Sequence, residues 1–292
     1  MVELTDARQR LGAKLITTAV LAGSGRLPEL LALELRRQGN PPLCVSIDGE
    51  AGGWIGAFEH LTVNSVQAGV LVRALRTKKV KQAVLAGGMR GRPSLWSIRP
   101  DWVTITNFLR FYKALRQGDD ALLRCVIEML EAQGFSVVGA HEILPDLIAP
   151  AGVLTKKQPS DADKADRDVA LAAALLNGSK DLGQAAVAVF GKVMAVEDAR
   201  GTNAMLRRMG DLQDGEKSSP QGVLAKAAKP QQERRVDLPS IGPETVDHAV
   251  RAGLAGIAVS AGSSLILDRD EVIKRADAAG IFVEGCDLDS RQ

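Results

Sequence analysis

Short apolar runs that stop at glycine, each followed by a helix-spaced pattern, constrain this chain more than any other feature. Residues 15–21 are apolar and partly β-branched, and they end at Ala22-Gly23-Ser24-Gly25. Residues 26–38 then carry Leu27, Leu30, Leu31 and Leu35 before Gly39-Asn40. The alternation repeats with a strand at 43–47, a helix at 66–77 and a strand at 83–86 that breaks at Gly87-Gly88. Strands this apolar have both faces covered, and helices between them make parallel crossovers, so a doubly wound α/β sheet is expected. Further helix (120–133) and strand (135–139) patterns extend this half.

Proline and glycine then punctuate the chain at Pro145, Pro150, Gly152 and Pro159. The domain expectation is an extension over 1–13, a Rossmann-like domain over 14–148, a linker over 149–160 and a second α/β domain over 161–292. In the second half, 184–190 and 193–197 flank Gly191-Lys192 as a hairpin. Strands are expected at 223–226, 256–260, 264–267 and 281–283, and helices at 161–176, 203–209, 245–252 and 270–279. Residues 213–221, rich in Ser, Gly and charge, are expected as a mobile loop.

Composition narrows the function. Aromatic residues are 3% of the chain, too few for a base-stacking platform. A net charge of +2 with mixed signs argues against nucleic acid as a partner. Cys44, Cys125 and Cys286 are scattered without metal-ligand spacing, as suits a reducing compartment. No apolar run reaches the ~18 residues of a spanning helix. Glu3, Asp6, Arg8 and Arg10 are unlike a secretory signal, so a cytoplasmic protein is expected.

Several stretches carry residues suited to chemistry. Gly23-Ser24-Gly25 leads from a strand into a helix and suits phosphate, although Pro28 stands where the dinucleotide fingerprint has its third glycine. Gly87-Gly88, with Arg90 and Arg92 beyond, lies at the same carboxyl edge. Asp119 and Asp120 start a helix, where acids also serve the macrodipole, and His141-Glu142 follows a strand. Residues 226–242 gather Lys226, Lys229, Arg234, Arg235, Glu233 and Asp237, the cations and carboxylates that cleavage of a pyrophosphate needs. A solvated charged face would look the same by composition.

Six longer motifs decide between these readings. Residues 22–28, 118–124, 139–142, 201–208, 222–232 and 235–242 occur in one order, including Gly201-Thr202-Asn203-Ala204-Met205 and Arg235-Val236-Asp237-Leu238-Pro239. With them the chain, from about residue 16 to 285, resembles the UDP-2,3-diacylglucosamine diphosphatases of the type unrelated to calcineurin-like phosphoesterases. The resemblance implies a Rossmann-like domain joined to an α/β domain with the ligand cleft between them. It also implies Mg²⁺-dependent hydrolysis to 2,3-diacylglucosamine 1-phosphate and UMP in lipid A synthesis.

By the same resemblance Asp237 is the essential carboxylate, with Lys226, Lys229 and Arg208 neutralising phosphate and Asn203 joining Asp237 at the metal. Substrate contacts are expected from Gly23, Ser24, Gly25, Gly87, Gly88, Asp119, Asp120, His141, Thr202 and Gln232. A peripheral place on the cytoplasmic face of the inner membrane follows from the lipid substrate, and a homodimer is one assembly left open. Two residues depart from the family pattern: Arg200 and Asn203 stand where its Glu-Gly-Thr-Asp motif has acids. A nucleotide-dependent oxidoreductase and a binding protein without activity are the alternatives.

Overall fold

The structure, a computed structural model, describes residues 17–64, 67–88, 119–211, 220–229 and 233–288. The expected extension at 1–13, most of the expected loop at 213–221, and Arg90, Arg92 and Gln232 lie outside the described residues. The chain divides into two compact units, Met1–Leu144 and Pro145–Gln292.

The first unit is built on β1 (Thr18–Ala22), β2 (Leu43–Ile47), β3 (Glu59–Val63), β4 (Gln82–Ala86) and β5 (Ser136–Val137). These pair in parallel in the order β3-β2-β1-β4-β5. The central strand β1 is buried throughout, as its uninterrupted apolar sequence demands. Helix α1 (Leu27–Arg37) buries Pro28, Leu31, Ala32 and Leu35, spaced along one face, and α2 (Ala68–Thr77) buries Leu71, Val72 and Leu75 the same way. Helices α3 (Asp119–Ala132) and α4 (Ala140–Ile143) complete the described part.

One strand was not legible. β3 is an edge strand whose Glu59, His60 and Thr62 are exposed, so its sequence lacks the apolar run that marked its neighbours. Its parallel pairing with β2 needs a crossover, which here is a short 3₁₀ turn, Gly53–Ala57. Trp54 meets Phe58 edge-on at 5.9 Å, and the Arg36 guanidinium of α1 lies 4.7 Å from the Phe58 ring centre.

The second unit has a six-stranded mixed sheet in the order β6-β13-β11-β9-β7-β8. Its strands are β6 (Gly152–Val153), β7 (Ala185–Val189), β8 (Lys192–Val196), β9 (Val223–Lys226), β11 (Gly256–Ser260) and β13 (Phe282–Cys286). A separate parallel pair joins β10 (Ser240–Ile241) to β12 (Leu265–Ile266). Of the stretch expected as a linker, Gly152–Val153 pairs antiparallel with β13. Two residues held by backbone pairing leave no pattern in the sequence.

Side-chain alternation divides this core in two. Val187, Leu224, Ile257 and Val259 point to the face covered by α6 (Thr202–Asp211), α7 (Pro243–Arg251) and α8 (Arg269–Ala279). Ala186, Ala188, Ala225 and Ala258 point to the other face, under α5 (Asp161–Ser179), which contributes Ala170, Leu171 and Ala174. Alanine on both sides lets α5 lie close to the sheet. Ser160 caps α5 by accepting from the Asp163 amide at 3.2 Å while the Asp163 carboxylate accepts from the Ser160 amide at 2.9 Å.

Candidate functional site

In the first unit the chain winds outward from β1 to β2 and β3, then crosses to β4 and β5, so a topological switch point lies between β1 and β4. Ligands in open parallel sheets bind beyond the strand ends at such a point. The two glycine-rich loops leave from there and lock onto each other. Gly23 N donates to Ala86 O at 2.9 Å, Ser24 N to Gly88 O at 2.7 Å, and Gly88 N to Ser24 O at 2.9 Å. A Cβ on Gly23 would stand 2.4 Å from Gly88 O, and one on Gly87 2.4 Å from Ser24 O. Glycine at these two positions is thus required by the approach of one loop to the other. Gly25, at φ +100°, faces open space where a side chain would be.

His141 sits in α4, just beyond β5. Gly139 N donates to Glu142 Oε1 at 2.6 Å, and the imidazole packs where a Gly139 Cβ would meet its Cε1 at 2.4 Å. Its Nδ1 is buried without a hydrogen-bond partner among the described residues. A buried polar nitrogen of this kind calls for a hydrogen-bond partner beyond the described residues, from protein, water or a ligand. Asp119 and Asp120 begin α3, and their side chains lie outside what is described.

The second unit brings charged groups together at the carboxyl end of β9. Lys226, the last residue of that strand, donates to Ser240 O at 3.0 Å. Burial pushes its ammonium below the ordinary lysine value, and the carboxylates of Glu197 and Asp237 pull it back up. Lys229, three residues on, pairs with Asp181 and lies 4.0 Å from Asp237 Oδ2. Lys229 is 14% exposed and Asp237 28%, so both are sheltered while open to a ligand. Gly178 makes room for this lysine, since a Cβ there would stand 3.2 Å from Lys229 Cγ.

Asp181 is a member of this cluster that the sequence did not mark, and Glu197, just upstream of the Gly201-Thr202-Asn203 motif, joins it. Glu197 Oε1 accepts from Thr202 Oγ1 at 2.7 Å and its Oε2 from Gln184 N at 2.6 Å. The Thr202 hydroxyl is therefore directed at a carboxylate. Arg208 donates to Asp198 Oδ2 at 3.1 Å, and Arg200 binds the same oxygen at 2.6 Å. Hydrogen bonds from Arg200, foremost, and from Arg208 hold the Asp198 carboxyl well below the usual range. Arg200 is thus a clamp on Asp198. Asn203 follows Thr202 in the first turn of α6.

The Lys226 environment has a measurable consequence. Its folded-state pKa lies below the unfolded value of about 10.5, so the folded state carries a penalty while the ammonium is charged. That penalty disappears as pH rises through the window below 10.5. Denaturant midpoints followed against pH should show wild type gaining stability relative to Lys226→Met across that window. A constant difference between the two curves would show that the ammonium is not desolvated.

Whether these residues suit Mg²⁺ turns on the donor set. The ion keeps several waters and takes one or two carboxylates beside substrate phosphates. Asp237, partly open and flanked by Lys229, supplies one such carboxylate. Among the described residues no three His, Cys, Asp or Glu side chains form a group able to hold a metal. The set fits an ion that shares its shell with phosphate oxygens.

The family model described as LpxI N-terminal domain matches residues 17–147, and that described as LpxI C-terminal domain matches residues 150–284. The chain is 40% identical over 275 residues to UDP-2,3-diacylglucosamine pyrophosphatase LpxI of Caulobacter vibrioides, covering 93% of this chain and 98% of that protein.

Proposed function

The chain belongs to the LpxI family, and from that premise we propose that it hydrolyses UDP-2,3-diacylglucosamine to 2,3-diacylglucosamine 1-phosphate and UMP with Mg²⁺. It is a hydrolase of the pyrophosphate bond. The observation that carries the proposal is the Asp237 carboxylate held 4.0 Å from the Lys229 ammonium at the carboxyl end of β9.

Water forms a bond to the β-phosphorus as the bridging P–O bond breaks, and UMP leaves with the electron pair. The chemistry asks for positioning and charge neutralisation rather than for a covalent intermediate. Asp237 orients the water and would hold Mg²⁺ together with the diphosphate oxygens, with Asn203 as the further candidate ligand. When bound, the metal neutralises phosphate charge. Lys229 lies beside Asp237 and faces the phosphate, exchanging its pairing with Asp181 for substrate oxygens. Lys226 was expected to neutralise phosphate directly. Its bond to Ser240 O and its place between Glu197 and Asp237 support a role behind Asp237, setting that carboxylate's charge and position.

Thr202 supports the same cluster through Glu197, and Arg208 is proposed as an outer cation beside Asp198. Gly23, Ser24, Gly25, Gly87 and Gly88 are proposed for backbone contacts to substrate. Of these, Gly25 has open space beside it, whereas the Gly23, Ser24 and Gly88 amides bond to protein carbonyls. The His141 Nδ1, buried with no partner among the described residues, supports His141 as a binding residue.

Among the described residues no helix is long and apolar enough to cross a membrane, and a lipid substrate would be met at the cytoplasmic surface of the inner membrane. The test is hydrolysis in ¹⁸O-labelled water with Mg²⁺ present. Label is expected in the lipid phosphate and not in UMP. Label in UMP would overturn attack at the β-phosphorus, and no product at all would overturn the assignment.

A further inference from the structure

The edge of the second unit's sheet carries an apolar strip that the hydrolytic site does not use. Of the large hydrophobic side chains exposed among the described residues, only Val70 and Val250 lie elsewhere. The rest are Leu176, Leu182, Phe190, Val193, Met194 and Val196, from the end of α5 to the edge strand β8. They form one strip because α5 is pinned along the hairpin at both ends. The buried Asp166 carboxylate accepts from Phe190 N at 3.2 Å and Gly191 N at 2.6 Å. Asn177 Nδ2 donates to Glu197 O at 2.8 Å. Eleven residues of helix rise about 16 Å, and six of strand about 20 Å, so helix and strand run side by side. Val193 and Val196 oppose Ala188 and Ala186 across the strand pair and so point to the α5 side.

Phe190 is the sharpest feature. It sits at the hairpin tip with φ +52°, next to Gly191 at φ +73°, and is 75% exposed. A bulky residue at positive φ is strained, and such outliers persist where the surroundings enforce them. Here Asp166 enforces the turn while the ring projects into solvent.

Two observations choose the occupant. A second copy would add to β8 through its backbone edge, but the register shifts between Val187 and Ala188, where Val187 opposes Ala195 and Ala188 opposes Val193. Met194 is the extra residue of a bulge, and bulges and lysine are devices that blunt edge pairing. Charge supplies the second. Lys180 and Lys192 are exposed beside the strip and have no ion pair among the described residues. The neighbouring acids are each held by a partner: Asp181 by Lys229, Glu197 by Gln184 and Thr202, Asp198 by Arg200 and Arg208. An apolar strip with an aromatic tip and outward lysines matches an anionic bilayer surface, where rings settle at the headgroup level and basic residues face lipid charge.

We infer that the β7–β8 hairpin, with the end of α5, is the surface by which this protein docks on an anionic lipid bilayer, Phe190 and Met194 entering the interface. The inference rests on the proposed function only in taking the substrate to be a membrane lipid.

The test is co-sedimentation of the full chain with phosphatidylethanolamine–phosphatidylglycerol vesicles, set beside hydrolysis of substrate dispersed in detergent. The double variant Phe190→Asn, Met194→Ser is expected to weaken vesicle binding roughly tenfold or more. Its thermal midpoint should hold or rise, because Asn accepts positive φ. Lys192→Gln should weaken binding about fivefold on anionic vesicles and leave binding to neutral ones unchanged. Detergent activity should stay at the wild-type level in both variants. The inference is overturned if wild type does not sediment with vesicles, or if the double variant binds as wild type does. It is equally overturned if the double variant raises KM in detergent, which would assign the strip to the substrate's acyl chains. Conversion of a wild-type dimer to a monomer by the same variant would assign it to a second copy. Vesicle binding by a protein that hydrolyses nothing would instead remove the proposed function and leave the docking surface standing.

Discussion

Asp237→Asn is expected to lower turnover about 100- to 1000-fold, the loss typical of removing one preorganised group that acts on developing charge. The side chain keeps its shape and loses only its charge. Lys229 remains paired with Asp181, and Lys226 remains bonded to Ser240 O and faced by Glu197. Stability should therefore change little, and the thermal midpoint should stay within a few degrees. The loss should fall on kcat, with KM close to wild type, because the carboxylate is proposed to serve the reacting water and metal. A variant with the wild-type rate removes Asp237 from the chemistry. One that raises KM alone makes it a substrate contact. Asp181→Asn supplies the contrast: it removes one carboxylate from beside Lys229 and leaves Asp237 there, so any loss of rate should be far smaller.

Why Asp237, Lys226 and Lys229 were legible and Asp181 was not has a physical basis. The sequence marks what is local. β2, β9 and β11 were placed at their observed ends because each is an apolar run closed by glycine, serine or charge. The hairpin at Gly191 was legible from two apolar runs separated by a turn. β3, β6 and β10 were missed because the first faces solvent and the other two are two residues each, held by backbone pairing. The site follows the same division. Asp237, Lys226 and Lys229 lie in two motifs a few residues apart and came with the family resemblance. Asp181 reaches Lys229 across 48 positions from a left-handed turn, and Glu197 is joined to Lys226 only through the fold. The glycine loops show a further limit, since their spacing suggested phosphate whereas the structure adds a demand of loop against loop.

The largest effect on stability should come from Phe282, and the glycine opposite it turns that expectation into a test of packing. Phe282 is fully buried at the start of β13, under α5, and pairs with Gly256 of β11. A Cβ on Gly256 would stand 2.2 Å from the ring, and the ring, enclosed on all sides, has nowhere to move. Phe282→Ala should cost about 3–5 kcal/mol from lost burial and the cavity left behind. Gly256→Ala should cost about 1–3 kcal/mol or more by overpacking. The two changes cannot add, because the alanine methyl of one enters the space vacated by the other. In the double variant the Gly256→Ala penalty should largely vanish, giving a coupling energy of roughly 1–3 kcal/mol in a cycle of denaturant midpoints. Since β11 pairs with β9 through Val259 and Lys226, the single glycine variant should also lose activity by displacing that lysine, and the double variant should recover part of it. Strict additivity would mean that the ring does not rest on Gly256, and the packing that places Lys226 would need another account.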